Sequence, residues 1–191
     1  GTVTLKISNT FFCFIIAGMI SFVALTIDTL LPAYTEIKDE FLIVDTQLHW
    51  IITALFLGFS LGQMLFGPVS DRMGRKNSVL LGVGIYWIGC LVCLVSDTYM
   101  TFVVGRFIQG FGIGGPRVVS QAICRDLFNG NKLASINSFI MSIFILVPVV
   151  APLIGQGILF LFYWKYIIAF FILFSLVTTS FLIMNIEETL K

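Results

Sequence analysis

Six apolar runs, each about 20 residues long, succeed one another along the chain with only short polar stretches between them. A helix needs roughly 20 residues to cross about 30 Å of hydrocarbon, so each run can span a bilayer. The spacing predicts helices over 11–32, 48–69, 78–95, 101–124, 136–160 and 165–186. Residues 1–10 and 187–191 are left as cytoplasmic segments. A chain of 191 residues has no room for twelve such spans, and it lacks the alternating runs of about ten residues that build a membrane barrel. Only 11% of residues are charged and 58% are apolar, whereas a water-facing surface usually needs about a quarter charged. The expected fold is an all-α integral membrane protein, a bundle of six transmembrane helices.

Lys and Arg set the orientation. Arg72, Arg75 and Lys76 fall between helices 2 and 3, and Arg125 and Lys132 between helices 4 and 5. The stretch after helix 1 is acidic, with Glu36, Asp39, Glu40 and Asp45 against Lys38. Both termini are therefore expected on the cytoplasmic side. A net charge of +1 and the lack of a basic run give no reason to invoke nucleic acid. Cys13, Cys90, Cys93 and Cys124 all lie in apolar stretches and read as inert buried thiols, although Cys90 and Cys93 have CxxC spacing. No metal and no cofactor are expected. An intramembrane enzyme is disfavoured because no histidine, metal-ligand cluster or G-x-S motif occurs at membrane depth. The only histidine, His49, falls at the outer mouth of helix 2 and reads as an interfacial residue rather than a proton relay.

Two ionisable residues lie where charge is costly. Asp28 is inside helix 1, four residues before Pro32; Arg106 is inside helix 4, five residues after Thr101. The two helices run in opposite directions, so both charges are expected at similar depth, within reach of each other. One reading is a structural ion pair that fixes helix register. The other is a coupling site, in which Asp28 binds a proton or a cation and Arg106 tunes it, since burial and a nearby guanidinium push a carboxyl in opposite directions. Gln109 is one turn from Arg106. Arg117, three turns on and next to Pro116, reads as an anchor snorkelling toward headgroups more readily than as a substrate ligand. A kink is expected at Pro116, and a bend where Pro148 and Pro152 remove hydrogen bonds from helix 5. Glycines recur in helices 2, 4 and 5, where they permit close backbone approach.

The stretch Gly67-Pro68-Val69-Ser70-Asp71-Arg72-Met73-Gly74-Arg75-Lys76 closely resembles the G-x-x-x-D-R-x-G-R-[RK] signature of the major facilitator superfamily. Gly67 is expected at a close helix contact, Gly74 in a tight turn and Asp71 facing a helix N-terminus. Thr26-Ile27-Asp28-Thr29-Leu30-Leu31-Pro32 looks like the helix 1 motif of its bicyclomycin-resistance (Bcr/CflA) branch of drug:proton antiporters. Gly105-Arg106-Phe107-Ile108-Gln109-Gly110 is similar to the helix 4 R-x-x-Q-G motif, with Arg125-Asp126-Leu127 continuing the likeness. Ala151-Pro152-Leu153-Ile154-Gly155 resembles the helix 5 antiporter motif, with Ala151 and Gln156 standing where many antiporters have glycine. Trp164-Lys165-Tyr166 and Glu187-Glu188-Thr189-Leu190 also fit the branch.

The resemblance implies one half of a transporter, the N-terminal six-helix bundle with a 3+3 inverted repeat. It implies proton-coupled multidrug efflux by alternating access in a bacterial inner membrane, with the proton gradient as energy source. Asp28, Arg106 and Gln109 would form the coupling site. Gly67, Asp71, Arg72, Gly74, Arg75 and Lys76 would form a latch loop broken and remade in each cycle, and Pro152 and Gly155 the helix 5 motif. The implied partners are the lipid bilayer, a lipophilic or cationic small molecule, and a missing C-terminal half or a second copy of the chain. Little transport is expected from one half alone. The alternatives are a metabolite transporter of the same superfamily and a half-transporter that serves only as a binding or assembly module.

Overall fold

The computed structural model describes residues 4–190. Residues 1–3 and Lys191, which belong to the two expected terminal segments, lie outside the described residues. All regular structure among the described residues is helical. The helices are α1 (Asn9–Ile20), α2 (Phe22–Asp28), α3 (Tyr34–Phe41), α4 (Asp45–Met73), α5 (Arg75–Leu94), α6 (Tyr99–Leu127), α7 (Gly130–Leu161) and α8 (Lys165–Asn185), with a single 3-10 turn at Leu31–Ala33.

Two helices start where a polar side chain takes a free backbone amide. Ser8 caps α1 by accepting from the Phe11 amide at 3.2 Å, and Thr98 caps α6 by accepting from the Thr101 amide at 3.3 Å. α4, α5, α7 and α8 are each long and apolar enough to cross a membrane, and the bent pair Asn9–Ile20 with Phe22–Phe41 supplies a fifth span. α6 is not apolar enough to count by composition, because it carries Arg106, Gln109, Arg117 and five glycines. Its 29 residues reach about 43 Å, and α4 and α5 cover it.

The first span departs from the expectation of one helix over 11–32. It breaks at Ser21, where the chain bends by 47°. The Ser21 hydroxyl donates to the Ala17 carbonyl at 2.5 Å and the Thr26 hydroxyl to the Phe22 carbonyl at 2.6 Å. Such back-bonding competes with the helical ladder and bends it. The acidic stretch expected as a loop is a helix, α3, which buries Ile37 and ends at Leu42 in a left-handed conformation (φ 53°). α7 runs as one helix through Pro148 and Pro152, and α6 through Pro116.

The contacts have a two-fold pattern. α6 packs on α4 and α5, while α1 packs on α7 and α8; α5 meets α8. Exchanging the first three spans for the last three leaves each of these contacts in place, as an inverted repeat requires. At the end of the bundle near α3, Phe41, Phe102 and the fully buried Trp164 form an aromatic cluster. Glu40 accepts hydrogen bonds there from Tyr163 and Trp164.

Candidate functional site

The end of α2 builds the first candidate site. A helix leaves its last carbonyls without partners, and Arg106 of α6 takes one of them. Its Nη1 donates to the Thr26 carbonyl and to Gln109 Oε1, both at 3.1 Å, while Gln109 Nε2 donates to Cys90 Sγ at 3.2 Å. The Thr26 hydroxyl meets the Tyr86 hydroxyl at 2.8 Å, so α2, α5 and α6 share one polar network inside an apolar bundle. Arg106 is 1% exposed, yet its Nε and Nη2 have no partner among the described residues.

Asp28 is half-buried and makes no ion pair among the described residues. The structural pair with Arg106 is therefore absent: the guanidinium grips the backbone at Thr26 instead. Asp28 is two residues further on, the last residue of α2. The buried Tyr34 hydroxyl, without a partner among the described residues, is within electrostatic reach of both charges. Gly155 of α7 seats against the chain just past the end of α2, where a Cβ would lie 2.1 Å from the Thr29 carbonyl oxygen and 3.3 Å from Pro32.

The second constellation sits at the opposite end. Gly74 (φ 93°) makes the turn from α4 to α5, a conformation that glycine adopts without strain. Arg75, only 9% exposed in its side chain, bonds to Asp71 at 2.8 Å, to Ser70 at 2.7 Å and to both oxygens of Asp126 at 2.8 and 3.2 Å. Two expectations need correction. Asp71 does not face a helix N-terminus; it lies in the last turn of α4, where the dipole disfavours it and Arg75 offsets the cost. The carboxylate at the α5 N-terminus is Glu188, which accepts from the amides of Arg75 and Lys76 at 2.9 and 3.1 Å. Gly67 is at no close contact either, since a Cβ there would first meet Val118 at 3.8 Å. Lys76 donates to the Ile183 carbonyl at 3.0 Å, and Thr189 to Asp126 at 2.7 Å. Burial pushes the Asp126 carboxyl up. Hydrogen bonds from Arg75 and Thr189, with the charges of Arg75 and Arg125, outweigh it and hold the group below its ordinary value. Glu188 is lowered in the same way, with burial overcome by backbone N–H donors.

Of the residues singled out from the sequence, Arg106 and Gln109 join the end of α2, and Asp71, Arg75 and Lys76 join the turn between α4 and α5. Arg72 and His49 are exposed, and Pro152 lies within α7. The four cysteines are buried and free. Arg117 does not snorkel freely: it sits over the Phe144 ring at 5.8 Å, with Nη1 buried and unpartnered among the described residues. Sequence reasoning assigned no role to Tyr34, Tyr86, Asp126, Glu188 or Thr189. Tyr86 carried a signal, a hydroxyl in the middle of an apolar helix.

The chain is 33% identical over 184 residues to a bicyclomycin resistance protein homolog of Haemophilus influenzae, covering 96% of this chain and 46% of that protein. It is 32% identical over 139 residues to the multidrug resistance protein MdtL of Escherichia coli, covering 73% of this chain and 36% of that one. The chain thus spans about half the length of the curated relatives it matches or less. Among solved structures, a bacterial homolog of the human lysosomal transporter Spinster superposes with a TM-score of 0.78 at 14% identity, over 97% of this chain and 44% of that one. The proton:xylose symporter XylE superposes with a TM-score of 0.77 at 17% identity, over 95% and 46%. These likenesses give the fold of half a transporter. Residues 10–190 match the Major Facilitator Superfamily, and the chain belongs to it.

Proposed function

We propose that this chain is the N-terminal half of a proton-driven drug exporter that works by alternating access in a bacterial inner membrane, with both termini cytoplasmic. The observation that carries the reading is Asp28: a carboxylate within a membrane span, free of any ion pair among the described residues, two residues beyond the carbonyl that Arg106 grips. Such a carboxylate can exchange a proton without first breaking a salt bridge. Arg106 and Gln109 hold the end of the broken helix that presents it, and Tyr34 is close enough to feel its charge state. Relatives named for bicyclomycin and multidrug resistance support a drug as the cargo. Proton and drug would oppose each other by linkage.

The test uses the full-length protein in proteoliposomes. A panel of cationic, neutral and acidic drugs is added across a pH gradient while a trapped dye reports proton movement. Drug-dependent proton flux is expected, with loss of at least about tenfold in Asp28→Asn, the scale of one charge-dependent step of roughly 1.4 kcal/mol. Equal flux in both proteins would reject the coupling role.

A further inference from the structure

We infer that the seam between α6 and α7 holds an anion site, so that the cargo or a bound lipid presents a carboxylate or phosphate there. The inference rests on the transporter reading and names the chemistry of one of its surfaces.

Arg117, Gln121 and Arg125 are spaced four residues apart on α6 and therefore form one stripe. Below Arg117, a cavity of about 330 Å³ is lined by Gln121 and Arg125 from α6, Asn137 and Met141 from α7, and Ile20 from α1. That volume lies within the range of small-molecule pockets. Arg117 closes the stripe one turn above Gln121, its guanidinium over Phe144 and its Nη1 buried without a partner.

The charges on this seam are not neutralised. Among the described residues, neither Arg117 nor Arg125 has a carboxylate within ion-pair distance or a hydrogen-bond acceptor. The nearest acid in sequence, Asp126, is already held by Arg75 and Thr189. A guanidinium at membrane depth is costly unless it is matched, and its planar fork matches a carboxylate or phosphate better than any other group. Gln121 and Asn137 add donors that an oxyanion can accept. A cation, the cargo expected from the sequence, would be repelled here.

The test is equilibrium binding, without a gradient, to the full-length protein in detergent, so a failure of proton coupling leaves its result readable. Carboxyfluorescein is the anionic probe, followed by anisotropy, with rhodamine 6G as the cationic control. Carboxyfluorescein is expected to bind, and Arg117→Gln to weaken it roughly tenfold, the scale of one lost charge-assisted hydrogen bond. Arg117→Lys should recover part of the loss. Arg125→Gln, at an exposed position, gives the same readout should Arg117→Gln fail to fold. Displacement by benzoate assigns the site to a soluble acid, and displacement by phosphatidylglycerol alone assigns it to a lipid headgroup. No binding of carboxyfluorescein, binding unaffected by both glutamine variants, or preferential binding of rhodamine 6G would overturn the proposal.

Discussion

Arg106 shows how a single side chain can hold a broken helix. Its Nη1 bridges a backbone carbonyl and Gln109, so the contact to helix 1 survives any change in the Thr26 side chain. The Thr26 and Tyr86 hydroxyls form a separate link. Thr26→Val and Tyr86→Phe are each expected to destabilise the protein by about 1 kcal/mol, and the double variant by little more than either, because they share one hydrogen bond. Denaturant unfolding of the four proteins measures this, and fully additive losses would show that the link is not formed. At this scale the sequence displayed Asp28 and Arg106 plainly, since charge in an apolar run is conspicuous. It did not display the partner of Arg106, because a backbone carbonyl carries no signature in the sequence. Glu188 was equally hidden: it caps an amide 113 positions away.

Individual helices differ in how they meet their neighbours. α6 touches α4 and α5 through backbone as much as through side chains. A Cβ on Gly110 would lie 2.0 Å from the Leu55 carbonyl oxygen, whereas one on Gly157 in α7 would meet nothing within 4 Å. Gly110→Ala is therefore expected to cost at least about 1–3 kcal/mol. Gly157→Ala is expected to be neutral or to stabilise by up to about 1 kcal/mol through helix propensity. Paired thermal unfolding of the two variants checks the contrast, and equal midpoints would refute it. Helix positions were legible from apolar run length, and the role of the α6 glycines from their frequency. The break at Ser21 was not legible, because a serine that bends a helix by back-bonding looks in sequence like one that does not. α3 was missed because charges dominate its composition and only Ile37 anchors it.

Across the whole molecule, Glu188 and Thr189 tie the chain beyond α8 back to the start of α5 and to Asp126 at the end of α6. Both carboxylates that hold this tie, Asp126 and Glu188, are lowered in the folded state. A lowered carboxylate contributes stability that is present above its unfolded value, about 3.9 for Asp and 4.3 for Glu, and lost as pH falls through the folded value. Protection of the Arg75 and Lys76 amides, corrected for intrinsic exchange, should hold from neutral pH to about 4.5 and decline below about 4. Undiminished protection at pH 3 would contradict the tie. The motif made the turn between α4 and α5 legible as a loop. It could not show that the loop is gripped from the far end of the chain.

One asymmetry has mechanical meaning. α6 is sewn to α4 and α5 by atoms that cannot rotate away, while the 32-residue α7 buries only Ile136, Ile140, Ala151 and Gly155. Three rods are thus fused into a spar, and the fourth leans on it at a few points. In the alternating-access cycle proposed above, the spar would move as one body and α7 would pivot where Gly155 rests on the Thr29 carbonyl, at the end of α2. Strain applied at that fulcrum would be delivered to the peptide beside Asp28.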